Sequence, residues 1–149
     1  IASIRADLDH RDPPQRVESR WGVVNFIDYL RANIIDLLLL ADACGQAPQP
    51  GALAESLRSL TSVMTERYPG QTIEIRVPPV TAVQVGILGE GSAHTRGTPP
   101  NIVETDPTSW WQLATGALSW AAARDQGRIQ VSGAHADRAE QMLPVYRRG

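Results

Sequence analysis

One change of hydrophobic period limits the fold of this chain more than any other feature. From Ala52 to Tyr68 the apolar residues recur every three or four positions, as on one side of an amphipathic helix, and Pro69-Gly70 ends the pattern. From Thr72 to Val77 every second residue is apolar, which predicts a strand with one buried face. A chain that passes directly from such a helix to such a strand is expected to pack helices against a sheet.

Further strands and short helices follow in the second half of the chain. Alternation also predicts strands over residues 82–87, 101–105 and 128–132. Helices are predicted to begin at Asp106-Pro107 and at Ser119, because Asp and Ser are good N-caps and Pro suits the first helical position. A closing helix is predicted over 136–143. Because no strand–helix–strand crossover repeats, the order predicts an α+β fold.

The N-terminal part differs from the rest. Residues 17–44 follow a helical pattern that is apolar on nearly every side, which is typical of a helix that is buried or crosses a membrane. Its charged residues argue against stable membrane insertion, since each costs about 2.5–3.5 kcal/mol at bilayer depth. We therefore expect a helix covered on several sides, in part by a second copy in a homodimer. The Pro- and Gly-rich stretch at 45–51 predicts a helical segment, residues 1–50, and a domain over residues 51–149.

The charged residues exclude several chemistries. The net charge is −2, and all 14 positive residues are arginine, so the chain has no lysine for a phosphate-binding loop or a Schiff base. The arginines are scattered and no aromatic residues interleave with them, so we expect no nucleic-acid partner. The only cysteine, Cys44, excludes an internal disulfide and a CxxC motif. Without the pattern of a signal peptide, a cytoplasmic location is expected.

A glycine-rich loop at residues 86–94 fails as a nucleotide or hydrolase motif. It contains a GxG, but His94 stands where the dinucleotide fingerprint needs glycine. Ser92 lacks the G-x-S-x-G elbow of a catalytic serine. The three histidines are widely spaced, which favours local hydrogen bonding over a metal site. We therefore expect no cofactor, no metal and no complete catalytic motif.

Tryptophans are concentrated on the two short helices, at positions 110, 111 and 120. Consecutive residues on a helix point about 100° apart, so we expect that Trp110 and Trp111 cannot both face one core. One of them should border solvent, a partner or a cavity. The indoles either fill the core or wall a pocket for an apolar ligand, because such pockets are mostly apolar and aromatic.

Alternation sorts the sheet residues onto two faces. The apolar face consists of Ile73, Ile75, Val77, Val83, Val85, Ile87, Ile129 and Val131. The polar face consists of Thr72, Glu74, Arg76, Gln84, Arg128 and Gln130. One face is expected to pack on helices, and the other to be solvated with a Glu74–Arg76–Arg128 charge network.

Several long motifs resemble a known family. They are EIRVPPVTAVQ at 74–84, HTRGTPPNIVETD at 94–106, and W-x-x-L-A-T-G-x-L-S-W followed by G-R-I-x-V-S-G between 110 and 133. Over residues 70–145 the chain resembles the actinobacterial branch of the sterol carrier protein family. The resemblance implies an α+β fold with a five-stranded sheet, helices on one face and an apolar tunnel between the layers. Four strands are predicted from alternation, and the fifth would lie in 79–101.

The same domain is related to the C-terminal domain of mycothiol-dependent maleylpyruvate isomerase-like proteins. In those proteins the metal-binding histidines belong to a separate helical bundle. Residues 16–44 contain no histidine, so the resemblance does not extend to that metal site. We therefore expect no isomerase activity.

The resemblance implies non-catalytic binding or carriage of a hydrophobic small molecule or lipid. The expected ligand-binding residues are Val83, Val85, Trp110, Leu113, Leu118, Trp120, Ile129 and Val131. Candidate polar anchors for a head group are Arg76, His94, Arg96 and Glu104. Two other hypotheses remain open: a protein-interaction or dimerisation module with a closed core, and an enzyme that uses the His94–Arg96 loop.

Overall fold

The computed structural model describes residues 14–19, 22–87 and 101–147, and the chain divides into two compact units between Gln46 and Ala47. In the first unit, β1 (Arg16–Ser19) pairs antiparallel with β2 (Gly22–Asn25), and α1 (Phe26–Ala43) follows. The Asn25 side chain accepts a 2.8 Å hydrogen bond from the Ile27 N–H and caps this helix.

The prediction of one helix over residues 17–44 is therefore wrong at its start. Residues 16–25 form the two strands, and helix begins only at Phe26. A segment that is apolar on every side has no clear period, so its pattern does not separate helix from strand. The β-branched Val17, Val23 and Val24 favour strands.

The surface of α1 is only partly covered by this chain. Ile35 and Leu38 are its buried residues, each 5% exposed. Its exposed large apolar residues are Ile27, Leu30, Leu37 and Leu40. The coverage on several sides that the apolar pattern predicts is therefore not supplied by the described residues of one chain.

The second unit is an α+β domain, as predicted. Its strands are β3 (Ile73–Val77), β4 (Thr81–Val85), β5 (Asn101–Thr105) and β6 (Ile129–Ser132). Its helices are α2 (Pro50–Arg67), α3 (Pro107–Thr115), α4 (Trp120–Asp125) and a 3₁₀ helix (Ala136–Met142). The strand order is β4-β3-β5-β6, with β3 and β5 parallel and the two outer pairs antiparallel. Residues 88–100, where most of the expected region of a fifth strand falls, lie outside the described residues.

The short helices start where their caps predict. The Asp106 carboxylate accepts a 3.0 Å hydrogen bond from the Ser109 N–H, and Pro107 occupies the first turn of α3. Gly116 ends α3 in the left-handed conformation, with φ 79°. The Ser119 hydroxyl oxygen accepts a 3.2 Å hydrogen bond from the Ala122 N–H at the start of α4. These local signals set where α3 and α4 begin and where α3 ends.

The core forms on the apolar face of the sheet. The alternating residues of β3 are fully buried, and α2, which packs against β4 and α3, buries the row that its helical period predicts. That row consists of Leu53, Ser56, Leu57, Leu60, Thr61 and Met64. Two backbone segments approach closely just after β4. The Gly86 N–H donates a 2.8 Å hydrogen bond to the Tyr68 carbonyl, and the Cα atom of Gly86 approaches the backbone at Gly70.

Candidate functional site

Both tryptophans at the start of α3 lie in the core. Trp110 is 0% exposed and Trp111 is 1% exposed. The prediction that consecutive positions cannot both face the core is wrong here, because buried positions of α3 run from Ser109 through Ala114. At about 100° per residue these positions span roughly 200° of the helix circumference. A helix enclosed by neighbours on more than half of its surface can bury two adjacent side chains.

An open groove of about 480 Å³ lies at the C-terminal end of α3. Its lining residues are Leu113, Thr115, Gly116, Leu118, Ser119, Trp120, Glu140, Leu143, Pro144 and Arg147. Leu113 and Trp120 are buried and contribute its apolar floor, whereas Glu140 and Arg147 are exposed at its rim. The groove therefore combines an apolar base with a charged and solvated opening.

Hydrogen bonds hold the walls of this groove in place. The Trp120 indole Nε1 donates to Oδ1 of Asp137 at 3.2 Å. The backbone N–H of Tyr146 donates to the Ala114 carbonyl at 2.9 Å, and the Arg67 guanidinium donates to the Val145 carbonyl at 2.8 Å. The segment after the 3₁₀ helix is thus attached to both α3 and α2.

The predicted ligand-binding residues separate into three groups. Leu113, Leu118 and Trp120 lie together on the groove. The core contains Trp110, Val85 and Ile129, none of which lines that groove. The half-buried Val83 and Val131 are paired in register with Ile75 and Val103 respectively.

The candidate anchors Arg76 and Glu104 lie apart from these apolar residues. Both alternate with buried residues of their strands, and they are paired in register between β3 and β5. Together with Glu74 and the Pro78–Ala82 turn they line a separate groove of about 380 Å³. The other two candidate anchors, His94 and Arg96, lie outside the described residues.

The expected charge network of the polar face is confirmed for one pair only. The Arg76 Nε donates a 2.8 Å hydrogen bond to Oε1 of Glu74. This bond and the nearby charges of Glu74 and Glu104 raise the pKa of Arg76 above its ordinary value, although partial burial opposes them. Arg128 does not take part, because it hydrogen-bonds to α3 instead.

Arg128 belongs to a polar chain at the start of α3. Its Nε donates to the Ser109 hydroxyl at 3.0 Å, and its Nη2 donates to the Gln112 amide oxygen at 2.6 Å. The Ser109 hydroxyl in turn donates to the Asp106 carboxylate. Partial burial raises the pKa of Asp106, but the hydrogen bonds from Ser109 and Thr108 and the charge of Arg128 outweigh it, so the pKa lies below its ordinary value.

Sequence reasoning missed one wall of the groove. Glu140, Leu143, Pro144 and Arg147 follow the last strand, and their spacing carries no sign of a pocket. None of these residues belongs to the expected ligand-binding set. They share the groove with Leu118 only because the segment folds back onto the end of α3.

Neither a metal-binding cluster nor a membrane-spanning helix occurs among the residues that the structure describes. Among them, no cluster of three or more His, Cys, Asp and Glu side chains is placed to hold a metal ion. Likewise, no helix in the described ranges has both the length and the apolar character needed to cross a membrane.

A known protein family matches most of the second unit. A family model described as a bacterial SCP ortholog matches residues 50–145, which is more than half of the chain and includes the whole groove lining except Arg147. Among curated proteins, none matches the chain.

Proposed function

The chain belongs to the bacterial sterol carrier protein (SCP) ortholog family, and we propose that it binds and carries a hydrophobic small molecule or lipid without transforming it. The observation that carries this proposal is the groove of about 480 Å³ at the end of α3. Small-molecule sites commonly have volumes of about 300–1,000 Å³, with mostly apolar walls and a few polar groups. Apolar area buried there would stabilise a ligand by about 25 cal/mol per Å².

The polar groups of the groove support binding rather than catalysis. The Thr115 hydroxyl donates to the Trp111 carbonyl at 2.8 Å, and the Ser119 hydroxyl caps α4, so both have structural partners. The ionisable lining residues, Glu140 and Arg147, are exposed at the rim. Within the described lining there is no nucleophile paired with a buried base. The family is generally non-catalytic as well.

The exposed cysteine supports a cytoplasmic location. Cys44 is free and exposed, and an exposed thiol is best kept unpaired in a reducing compartment. We propose that the carrier works in the cytoplasm.

Native mass spectrometry of the freshly purified protein tests the proposal. We expect an adduct that disappears on organic extraction, with one apolar compound recovered per chain. A protein that emerges without an adduct is then titrated with a fluorescent fatty acyl ester. Absence of both a co-purified compound and saturable binding of the ester would overturn the carrier function.

A second candidate function is self-association through α1. Ile27, Leu30 and Leu37 are exposed at helical spacing, and Leu37 is 65% exposed. Because the i, i+3 and i+10 positions lie within about 80° of one another around a helix, these residues form one apolar stripe. A second copy of the chain would cover it in an isologous dimer. This candidate needs no ligand, and the oligomeric state tests it separately.

A further inference from the structure

Three buried polar side chains in the second unit lack a hydrogen-bond partner in the structure described here. They are the Ser56 hydroxyl on α2 and the indole Nε1 atoms of Trp110 and Trp111 on α3. All three residues are at most 1% exposed, so bulk water does not reach them. The helices that carry them pack against each other.

Unpaired buried donors are unusual in folded proteins, where the large majority of buried polar side-chain atoms are hydrogen-bonded. Elsewhere the described chain follows this rule. The Trp120 indole donates to Asp137, and the buried Thr61 hydroxyl donates to the Leu57 carbonyl at 2.9 Å. The Trp110 and Trp111 indoles are therefore free to donate to an acceptor that is not part of the described chain.

The two indoles lie one helical turn from the proposed ligand groove. Trp110 precedes the groove residue Leu113 by three positions, and Trp111 precedes Thr115 by four. Residues three or four apart are neighbours on the same side of a helix. Because neither indole lines the groove, an acceptor would reach them only by entering the core along the side of α3 that they share with Leu113 and Thr115.

The charges of the buried residues indicate which kind of hydrogen-bond acceptor the two indoles can bind. The buried polar residues of the described chain are Ser56, Thr61, Asn101, Thr105 and Ser109, all uncharged. The cation that contacts α3 in the described chain is Arg128, which is half-buried and already donates to Ser109 and Gln112. A carboxylate or phosphate beside the indoles would therefore lose its hydration without gaining a buried cation of its own, which is strongly unfavourable. A carbonyl or hydroxyl oxygen has a much smaller desolvation penalty and still accepts from an indole.

We infer that the ligand carried by this protein bears a neutral hydrogen-bond acceptor, the oxygen of an ester, ketone or alcohol, which accepts from the Nε1–H of Trp110 or Trp111. This inference rests on the proposed carrier function. It names the chemical class of the ligand: a neutral oxygenated lipid rather than a hydrocarbon or a free fatty acid.

The indole resonances in a ¹H–¹⁵N NMR spectrum of the full chain test this inference. The probes are methyl dodecanoate, which carries an ester acceptor, and dodecane, which is matched in chain length and has none. The resonances are assigned with the variants Trp110→Phe, Trp111→Phe and Trp120→Phe. Trp120 reports entry into the groove, because it lines the groove and its indole already donates to Asp137.

With methyl dodecanoate, we expect the indole proton of Trp110 or Trp111 to move downfield. Dodecane should not produce this downfield shift, whereas the Trp120 resonance should respond to both probes, because Trp120 lines the groove. Removing the engaged donor with Trp110→Phe or Trp111→Phe should weaken ester binding roughly fivefold to tenfold and leave dodecane binding unchanged. The wild-type spectra remain decisive if a variant does not fold.

The outcomes separate the inference from the function. If mass spectrometry shows that methyl dodecanoate binds and neither indole shifts, the inference is overturned and the carrier function stands. If dodecanoate at neutral pH binds as tightly as its methyl ester, the neutral class is overturned. If no probe binds, this inference fails, and the proposed function fails with it when no compound co-purifies either.

Discussion

The Nε atom of Arg128 lies 3.0 Å from the Oγ atom of Ser109 and donates a hydrogen bond to it. The same guanidinium donates to Gln112, and Ser109 donates to Asp106. A residue that immediately precedes β6 thereby fixes the first turn of α3. The helix that carries both buried tryptophans is positioned by this contact.

Replacing Arg128 with alanine should lower the free energy of unfolding by about 1.5–3 kcal/mol, because two hydrogen bonds from a charged group to half-buried or buried partners are lost. Arg128→Lys should retain only part of this free energy, since one ammonium group cannot reproduce the two directed donors of the guanidinium. Urea unfolding measures both variants. The matched control is Arg58→Ala, which removes a half-exposed pair with Glu55 at 2.7 Å and should change stability by at most about 1 kcal/mol. Equal losses at both arginines would contradict the structural role of Arg128.

Asp106 should make stability depend on acid pH. Its folded-state pKa lies below the ordinary 3.8, so its stabilising charge is fully present above that pH and is lost as the pH falls through the folded value. Asp106→Asn keeps a capping oxygen but removes the titration, and Asp106→Ala should cost about 0.5–2 kcal/mol. Urea unfolding of the three proteins at about pH 6 and pH 3 checks this. A wild-type advantage over the asparagine variant that grows on acidification would refute it.

A methyl group at Gly86 should be poorly tolerated. The added Cβ would lie 2.3 Å from the Pro69 carbonyl oxygen, a backbone atom that cannot rotate away. Gly86→Ala should destabilise the fold by about 1–3 kcal/mol, as overpacking commonly does. At Gly51, in the first turn of α2, nothing lies within 4 Å of an added Cβ, so Gly51→Ala should be neutral or stabilising by up to about 1 kcal/mol. Thermal unfolding compares the two variants directly. Similar melting temperatures would contradict the close approach of Gly86 to the Pro69 carbonyl oxygen.

An arginine at Leu118 should block the groove. Leu118 is half-buried and lines the groove, so Leu118→Arg removes apolar contact and fills the space, which we expect to weaken binding of a fluorescent acyl ester about tenfold or more. Val63→Arg is the control, because Val63 is a large apolar residue on α2 that is already 36% exposed and does not line the groove. Titrations follow circular dichroism spectra that verify folding. Unchanged affinity in Leu118→Arg would place the ligand elsewhere.

Leu37 should control the oligomeric state if α1 self-associates. Leu37→Arg places a charge on the most exposed residue of the stripe and should convert a dimer to a monomer in sedimentation velocity. Val63→Arg should leave the sedimentation coefficient unchanged. A wild-type chain that sediments as a monomer at high concentration would rule this candidate out.

The expected ligand-binding set shows what alternation can and cannot predict. Alternation correctly placed Val85 and Ile129 in the interior, because successive side chains of a strand point to opposite faces of the sheet. It could not separate a residue that fills the core from one that lines a cavity. Trp110 and Leu118 are both apolar residues that alternation treats alike, yet Trp110 is fully buried and Leu118 lies on the groove.

The sequence by itself determined the local structure of the second unit. Asp106-Pro107, Gly116 and Ser119 set helix ends through hydrogen bonds within a few residues, and the period of two set the strands. Signals of this kind act between residues that are close in the chain, so they can be recognised in the sequence. The strands β1 and β2 were not predicted, because a segment that is apolar on all sides shows neither the period of a helix nor that of a strand.

Only the tertiary structure decided which side chains meet. The partners of Arg128 are 16 and 19 residues away, and the groove joins the end of α3 to a segment that follows the last strand. The burial of both Trp110 and Trp111 depends on how many elements surround α3. Such contacts depend on the relative placement of elements distant in sequence, and no spacing within one element specifies that placement.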